Sequence, residues 1–450
     1  MTSHILPLPA LRRTSYAAAL FIALAPAAYT QRIAGEEEYI FPIPGVEVSA
    51  ASKIDYFAQA RELQSHIVTF DSHLDINLGF GDKDHSSLSD PSSQFDLDKA
   101  RAGELKGASL AIFVPQPQIS DATLTKAKAD AESKYRSIVG IAQLHPDRAE
   151  IAYTPADLRR IEEAGKFAIV LSILNTYPLG SDLSQLDMWQ RRGVRVVGFV
   201  HAGNNQWADS SRPNGILGDK PNEHNGLTTL GRQAVTRLNN LGVLIDVSQL
   251  TTKALQDVLA ASKAPVVASH SGVRSIVNVS RNLSDEELKA IADKGGVVQI
   301  VAFSAYLAPL PQSVQEEVAR VNAKYDIRPD RSTGSADPAK FKAWSTEFHE
   351  ALAKAPKATV SQYVDSIDYA VQKISIDHVG IASDFNHGGG VIGWKDESEA
   401  PNVTAELLRR GYTNDQVAKL WGGNFLRVWG EAQQHATVGR VKHSRRVAGE

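Results

Sequence analysis

Asp71-Ser72-His73-Leu74-Asp75 closes the apolar run Ile67-Val68-Thr69-Phe70. In a strand, residues i and i+2 share a face, so His73 and Asp75 can offer an imidazole and a carboxylate to one divalent cation. Such a pair is half of a metal site, and His-x-Asp alone is common by chance. The rest must come from other strand ends. The last residue of each remaining β-branched run includes Leu174, His201, Gln249, His270 and Asp384. Together with His73 and Asp75 they suggest a hydrolase site for a hard cation. The chain has no cysteine, so only nitrogen and oxygen ligands are available.

The elements that must carry these residues are short apolar runs separated by helical patterns, the mark of a parallel sheet of βα units. Eight runs stand out, at 67–75, 108–114, 167–174, 194–201, 243–249, 265–270, 297–303 and 378–384. Val243-Leu244-Ile245 and Val297-Val298-Gln299-Ile300-Val301 are continuous enough to be buried on both faces. Eight such strands predict an α/β fold, a closed (β/α)8 TIM-like barrel rather than an open sheet. Residues 226–241 carry Leu227, Leu230, Ala234 and Leu238 at helical spacing, and Ser284-Asp285-Glu286-Glu287 is a capping box before Leu288 and Ile291. Residues 77–98 form a long connection after the first strand, and 307–360 a larger, partly helical insertion. Loops at the C-terminal face of such barrels surround active sites, so both are expected to act as lids.

At 450 residues with 43% hydrophobic and 22% charged content, the composition is that of an ordinary soluble enzyme. A net charge of −3 gives no electrostatic basis for binding nucleic acid. Arg12 and Arg13 precede an apolar run and the small residues Ala25-Pro26-Ala27-Ala28, the pattern of an export signal. The expected organisation is a signal peptide at 1–28, an extension at 29–60, the barrel at 61–435 with its insertion at 307–360, and a tail at 436–450. Export places the mature protein in the periplasm or outside the cell.

The chain resembles the membrane (renal) dipeptidases and their bacterial homologues, zinc-dependent barrels of the amidohydrolase type. The resemblance runs over most of 60–435. It rests on Asp71-Ser72-His73-Leu74-Asp75, Tyr177-Pro178-Leu179-Gly180, Ala208-Asp209-Ser210, residues 241–248, residues 264–271, Arg281-Asn282-Leu283 and Trp421-Gly422-Gly423-Asn424. It implies metal ligands at His73, Asp75, His270 and Asp384, a substrate-contacting His201, and Arg281 as receiver of the substrate carboxylate. Tyr306, at the start of the insertion, joins His201 and Arg281 as a substrate-binding candidate. Two positions depart from the family. Leu174 stands where a glutamate would bridge two zinc ions, and Gln249 where a histidine would hold the second. Leu has neither charge nor lone pair, and an amide is a poor replacement for imidazole on zinc. His387 lies three residues past Asp384, where it is open to three roles: rebuilding a ligand set, acting as a general base, or sitting on a loop.

Two functions follow. The first is an exported hydrolase of dipeptides or other small carboxylate-bearing amides, with a reduced site holding one zinc per chain. Asp384 would be ligand and proton acceptor, with His201 and His387 as further catalytic candidates. The alternative is a metal-free, repurposed homologue that binds or transforms a carboxylate-bearing metabolite by isomerase, lyase or acyl-transfer chemistry. The family resemblance also implies a homodimer.

Overall fold

Parallel strands form wherever the chain supplies a short run that can be buried on both faces, and Phe167–Leu174 is buried along its whole length. The computed structural model describes residues 55–82 and 84–438. The export signal, residues 29–54 of the extension and the tail beyond 438 lie outside the described residues. Nine strands are present among those described: β1 (Phe70–Leu74), β2 (Gly107–Phe113), β3 (Ala149–Ile151), β4 (Phe167–Leu174), β5 (Val194–Gly198), β6 (Leu244–Asp246), β7 (Val266–Ser271), β8 (Val297–Val301) and β9 (Val379–Ala382). They are hydrogen-bonded in the order β1-β2-β4-β5-β6-β7-β8-β9, with every pair parallel and β3 attached to β4 off this path. The eight expected runs are the eight strands of the path. β3 was not anticipated, because three residues with a polar centre carry no periodic signal.

The ring is joined where β1 and the residue after it meet the segment just beyond β9. The Asp384 amide donates to the His73 carbonyl at 3.0 Å and the Asp75 amide to the Phe385 carbonyl at 3.0 Å. Asp71 reinforces the seam by accepting from the Ser383 amide at 3.1 Å and from the Ser383 hydroxyl. Strand and helix alternate around this near-closed barrel, the (β/α)8 arrangement of the amidohydrolase type. Alternate strand residues near the N-terminal ends, Phe70, Ala168, Val170, Val196, Leu244 and Val297, share one core with Phe425 and Trp429 of the helix Asn424–Gln434. The opposite strand faces pack on the surrounding helices in a second, larger core.

Local signals hold where they were strong. Ser284 caps the helix Asp285–Asp293 in a capping box with Glu287. The helix expected over 226–241 runs Thr229–Leu241, stopped by Gly242 at φ 66°. The insertion folds into the helices Gln312–Lys324 and Phe341–Leu352, which close a small core with Ile216 and Leu217 from the connection after β5. The helix Tyr56–His66 begins in the span expected to be extension and continues into that expected to be barrel; it packs on the helix Ala400–Arg409 and buries Ala60 and Leu63. Among the described residues no helix is long and apolar enough to cross a membrane.

Candidate metal centre and active site

His73, His270 and Asp384 arrive from three strand ends and meet. The imidazoles of His73 and His270 stack with centroids 3.8 Å apart at 9°. His73 Nε2 lies 3.8 Å from Asp384 Oδ1, and one ligand atom from each of the three residues falls within 4.8 Å of the others. Backbone geometry aims two of the groups around this point. Asp384 has φ 58° and Gln249 φ 70°, left-handed conformations that side chains other than glycine adopt at a cost of about 1–3 kcal/mol and that cluster at functional sites.

Burial sets the charge states. It drives the pKa of His73 down to about 3, with help from His387 and Arg281, and drives His270 and His201 well below the usual imidazole range. All three rings are therefore neutral and keep a lone pair for a ligand or a proton. Burial raises Asp384 well above the ordinary carboxylate range, with Arg281 opposing, so without a cation the group holds its proton, which a bound cation would displace. His270 Nδ1 is 2.8 Å from Ser269 Oγ, whose hydroxyl donates to Asp246 Oδ2 at 2.6 Å. That chain assigns the proton to Nδ1 and leaves the Nε2 lone pair facing the site.

Asp75 was expected as a ligand, but its carboxylate is outside the three-residue cluster. Its Oδ1 accepts from Lys134 Nζ at 2.6 Å and from the Ile76 amide at 2.7 Å. Lys134 also donates to the Ile76 carbonyl, and both side chains of the pair are buried. Gln249 is likewise committed. Its Oε1 accepts from Arg212 at 2.5 Å, which turns its amide nitrogen toward His270 Nε2 at 3.1 Å. Leu174 packs with Ala111 and Phe113 in a small apolar cluster. Neighbouring Asn175 does not replace it as a ligand, since its amide bonds to Val114, Tyr177 and Asn205.

His387 belongs to the site. Its ring stacks on His201 at 4.9 Å and touches Phe113 at 4.5 Å, and its Nδ1 lies 3.8 Å from Asp75 Oδ2 and 4.0 Å from Asp384 Oδ1. Arg281 is buried and donates to Ser271 Oγ at 3.1 Å and to the His270 carbonyl. Tyr306 receives Arg212 Nη1 on its hydroxyl at 3.1 Å, and its ring lies 5.7 Å from the Arg281 guanidinium.

The family model for membrane dipeptidases, peptidase family M19, matches residues 57–442. The chain belongs to that family. It is 47% identical to the probable dipeptidase PvdM from Pseudomonas aeruginosa, with 85% of this chain and 99% of that one covered and a TM-score of 0.80. Dipeptidase tcpJ of Claviceps purpurea is 29% identical over 77% of this chain and 71% of its own length. A metallopeptidase from Rhodobacter sphaeroides, solved with a phosphinate mimic of the dipeptide L-Ala-D-Ala, shares the fold at 22% identity over 81% of this chain and 99% of that one, with a TM-score of 0.63.

M19 dipeptidases are metallopeptidases, and the residues of this chain fit a single ion. His73 Nε2 and Asp384 Oδ1 are buried polar atoms without a hydrogen-bond partner, the state of ligand atoms prepared for a cation. His270 completes the set by giving up one hydrogen bond from Gln249, a net cost of about 1 kcal/mol. Three nitrogen and oxygen ligands suffice for a catalytic zinc.

Lys134 and Arg212 were not found from the sequence. Lys134 had a usable signal. On the helix Asp121–Leu144 the buried positions are Ala127, Ala131, Lys134, Ile138 and Ile141, so a lone lysine interrupts an otherwise apolar stripe at helical spacing. Arg212 lies two residues past the Ala208-Asp209-Ser210 block, but nothing local showed it turning inward.

Proposed function

We propose that this dipeptidase-family hydrolase cleaves dipeptide-like amides with a mononuclear zinc centre held by His73, His270 and Asp384. The observation that carries the reading is the orphaned pair His73 Nε2 and Asp384 Oδ1 beside His270, while Asp75 is already neutralised by Lys134. When bound, the ion would polarise the scissile carbonyl and lower the pKa of a water. The remaining work falls to side chains of this chain. His201, backed by Arg212 Nη2 at 3.4 Å, stabilises negative charge on the carbonyl oxygen. His387 is neutral, since burial lowers its pKa, and it faces both carboxylates, so it takes the water proton and returns it to the leaving amine. Arg281 anchors the substrate carboxylate. Export to the periplasm or cell exterior, from the N-terminal signal, is part of this proposal.

A second reading, a metal-independent catalyst or binder of a carboxylate-bearing metabolite, is favoured by the same two pairings. Lys134 on Asp75 and Gln249 on His270 place protein donors on groups that the family resemblance assigns to metals. Hydrolysis of a dipeptide panel by chelator-stripped and zinc-reconstituted protein separates the readings. The first expects turnover only after reconstitution, with a loss of about 100-fold or more in Asp384→Asn. Equal rates with and without metal would establish the second.

A further inference from the structure

The guanidinium of Arg212 is tied into the site by three side chains. Nη1 donates to the Tyr306 hydroxyl at 3.1 Å, while Nη2 donates to Gln249 Oε1 at 2.5 Å and lies 3.4 Å from His201 Nε2. These partners are a phenol, an amide and an imidazole that burial keeps neutral. Among the described residues the guanidinium makes no hydrogen bond to a carboxylate, and its Nε is buried without a partner. Asp384 feels this charge, after that of Arg281, but as a metal ligand its carboxylate is committed to the ion. His201 stacks on His387 at 4.9 Å, and His387 Nδ1 lies 4.0 Å from Asp384 Oδ1, so Arg212 borders the same pocket as the ligand cluster.

Main-chain contacts fix this arrangement from behind. The Ser210 hydroxyl donates to the His201 carbonyl and accepts from the Arg212 amide at 3.1 Å, and the Ser211 amide donates to the Gln249 carbonyl at 2.8 Å. Gln249 is buried in a left-handed conformation with φ 70°, and its amide bridges Arg212 to His270 Nε2 at 3.1 Å. Strained backbone is kept where surrounding contacts enforce it, and here they enforce the position of a charge.

We propose that Arg212 is a catalytic residue of this pocket, the fixed positive charge that binds the carbonyl oxygen of a scissile amide as that oxygen becomes anionic, and that Gln249 is the positioning residue that holds it there. The assignment rests on the hydrolase reading. When water adds to the carbonyl carbon, the C=O electron pair moves onto oxygen, and it returns when the C–N bond breaks and the amine leaves with a proton. Between those events the oxygen carries a negative charge that the substrate lacks. A guanidinium stays charged throughout and exchanges no proton, so its pull strengthens in the transition state and acts on kcat more than on KM. Neutral His201 contributes a dipole beside it, and Arg212 the full charge.

Two ligands test this by calorimetry in protein loaded with zinc: a dipeptide mimic with a phosphinate in place of the scissile amide, and an isostere with an ethylene unit there, which keeps both termini but offers no oxygen. The phosphinate is expected to bind the unsubstituted protein more tightly than the isostere. Arg212→Gln should weaken the phosphinate about 100-fold or more and the isostere about threefold or less. Arg212→Lys should fall between, since it restores the charge without the fork, and Gln249→Ala should lose about tenfold on the phosphinate alone. No preference for the phosphinate in the unsubstituted protein, equal losses on both ligands, or unchanged phosphinate affinity in Arg212→Gln that folds and keeps its zinc would overturn the proposal. Because the readout is binding, absence of peptide turnover with this pattern intact would remove the hydrolase reading and leave Arg212 as the donor to an anionic oxygen.

Discussion

Lys134 Nζ sits 2.6 Å from Asp75 Oδ1 in a nearly water-free setting, with the two side chains 9% and 6% exposed. An ammonium thus neutralises a carboxylate that the family resemblance would give to a metal. Removing one member of such a pair leaves an uncompensated buried charge. Lys134→Met is therefore expected to destabilise the protein by about 3–5 kcal/mol in urea unfolding. Asp75→Asn added to Lys134→Met should recover most of that loss. A Lys134→Met protein as stable as the parent would show that the ion pair has no such role.

The histidines predict acid sensitivity. In metal-free protein the His73 pKa is about 3 folded, against about 6.5 unfolded. Between these values the unfolded chain binds the extra proton, so stability is complete above pH 6.5 and falls as pH drops, by about 1.4 kcal/mol per unit. Asp71, raised to about 6 by burial, and Asp384, also raised by burial, act in the opposite sense and lose stability as pH rises through their folded pKa values. Comparing variants isolates one group. From pH 6.5 to pH 5, His73→Gln should lose roughly 2 kcal/mol less than the parent in unfolding experiments. Equal losses would contradict the assignment.

His387 is predicted to move the proton in turnover. His387→Gln keeps size and hydrogen bonding but cannot titrate, and kcat on the best peptide should fall about 100-fold or more with metal content unchanged. A kcat within about twofold of the parent would return His387 to a packing role.

Leu174 and Gln249 stand where the family resemblance implies a bridging glutamate and a histidine ligand. Leu174→Glu with Gln249→His should raise bound zinc from about one to about two per chain and increase dipeptidase activity. No gain in metal would mean that further changes, beginning with Lys134 on Asp75, also separate this pocket from a two-metal site.

Much of this architecture was legible because burial leaves a pattern. Strands such as Val297–Val301, buried on both faces, read as continuous apolar runs, and their last residues gave His73, His201, His270 and Asp384 without a structure. Less legible were groups whose role depends on a contact far away in sequence. Lys134 and Asp75 are 59 positions apart, and Arg212 and Gln249 are 37 apart. The left-handed backbone at Asp384 and Asn386, which turns His387 back over Phe113, has no sequence marker beyond the polar residues themselves.

The central claim is the identity of the ligands, and metal content measures it directly. Purified protein loaded with zinc, dialysed and analysed by mass spectrometry of the element should hold about one ion per chain. Asp75→Asn should hold about the same, because its side chain still accepts from Lys134, whereas His73→Ala and Asp384→Asn should be nearly empty. Two ions in the unsubstituted protein, or an Asp75→Asn variant as empty as Asp384→Asn, would contradict the account.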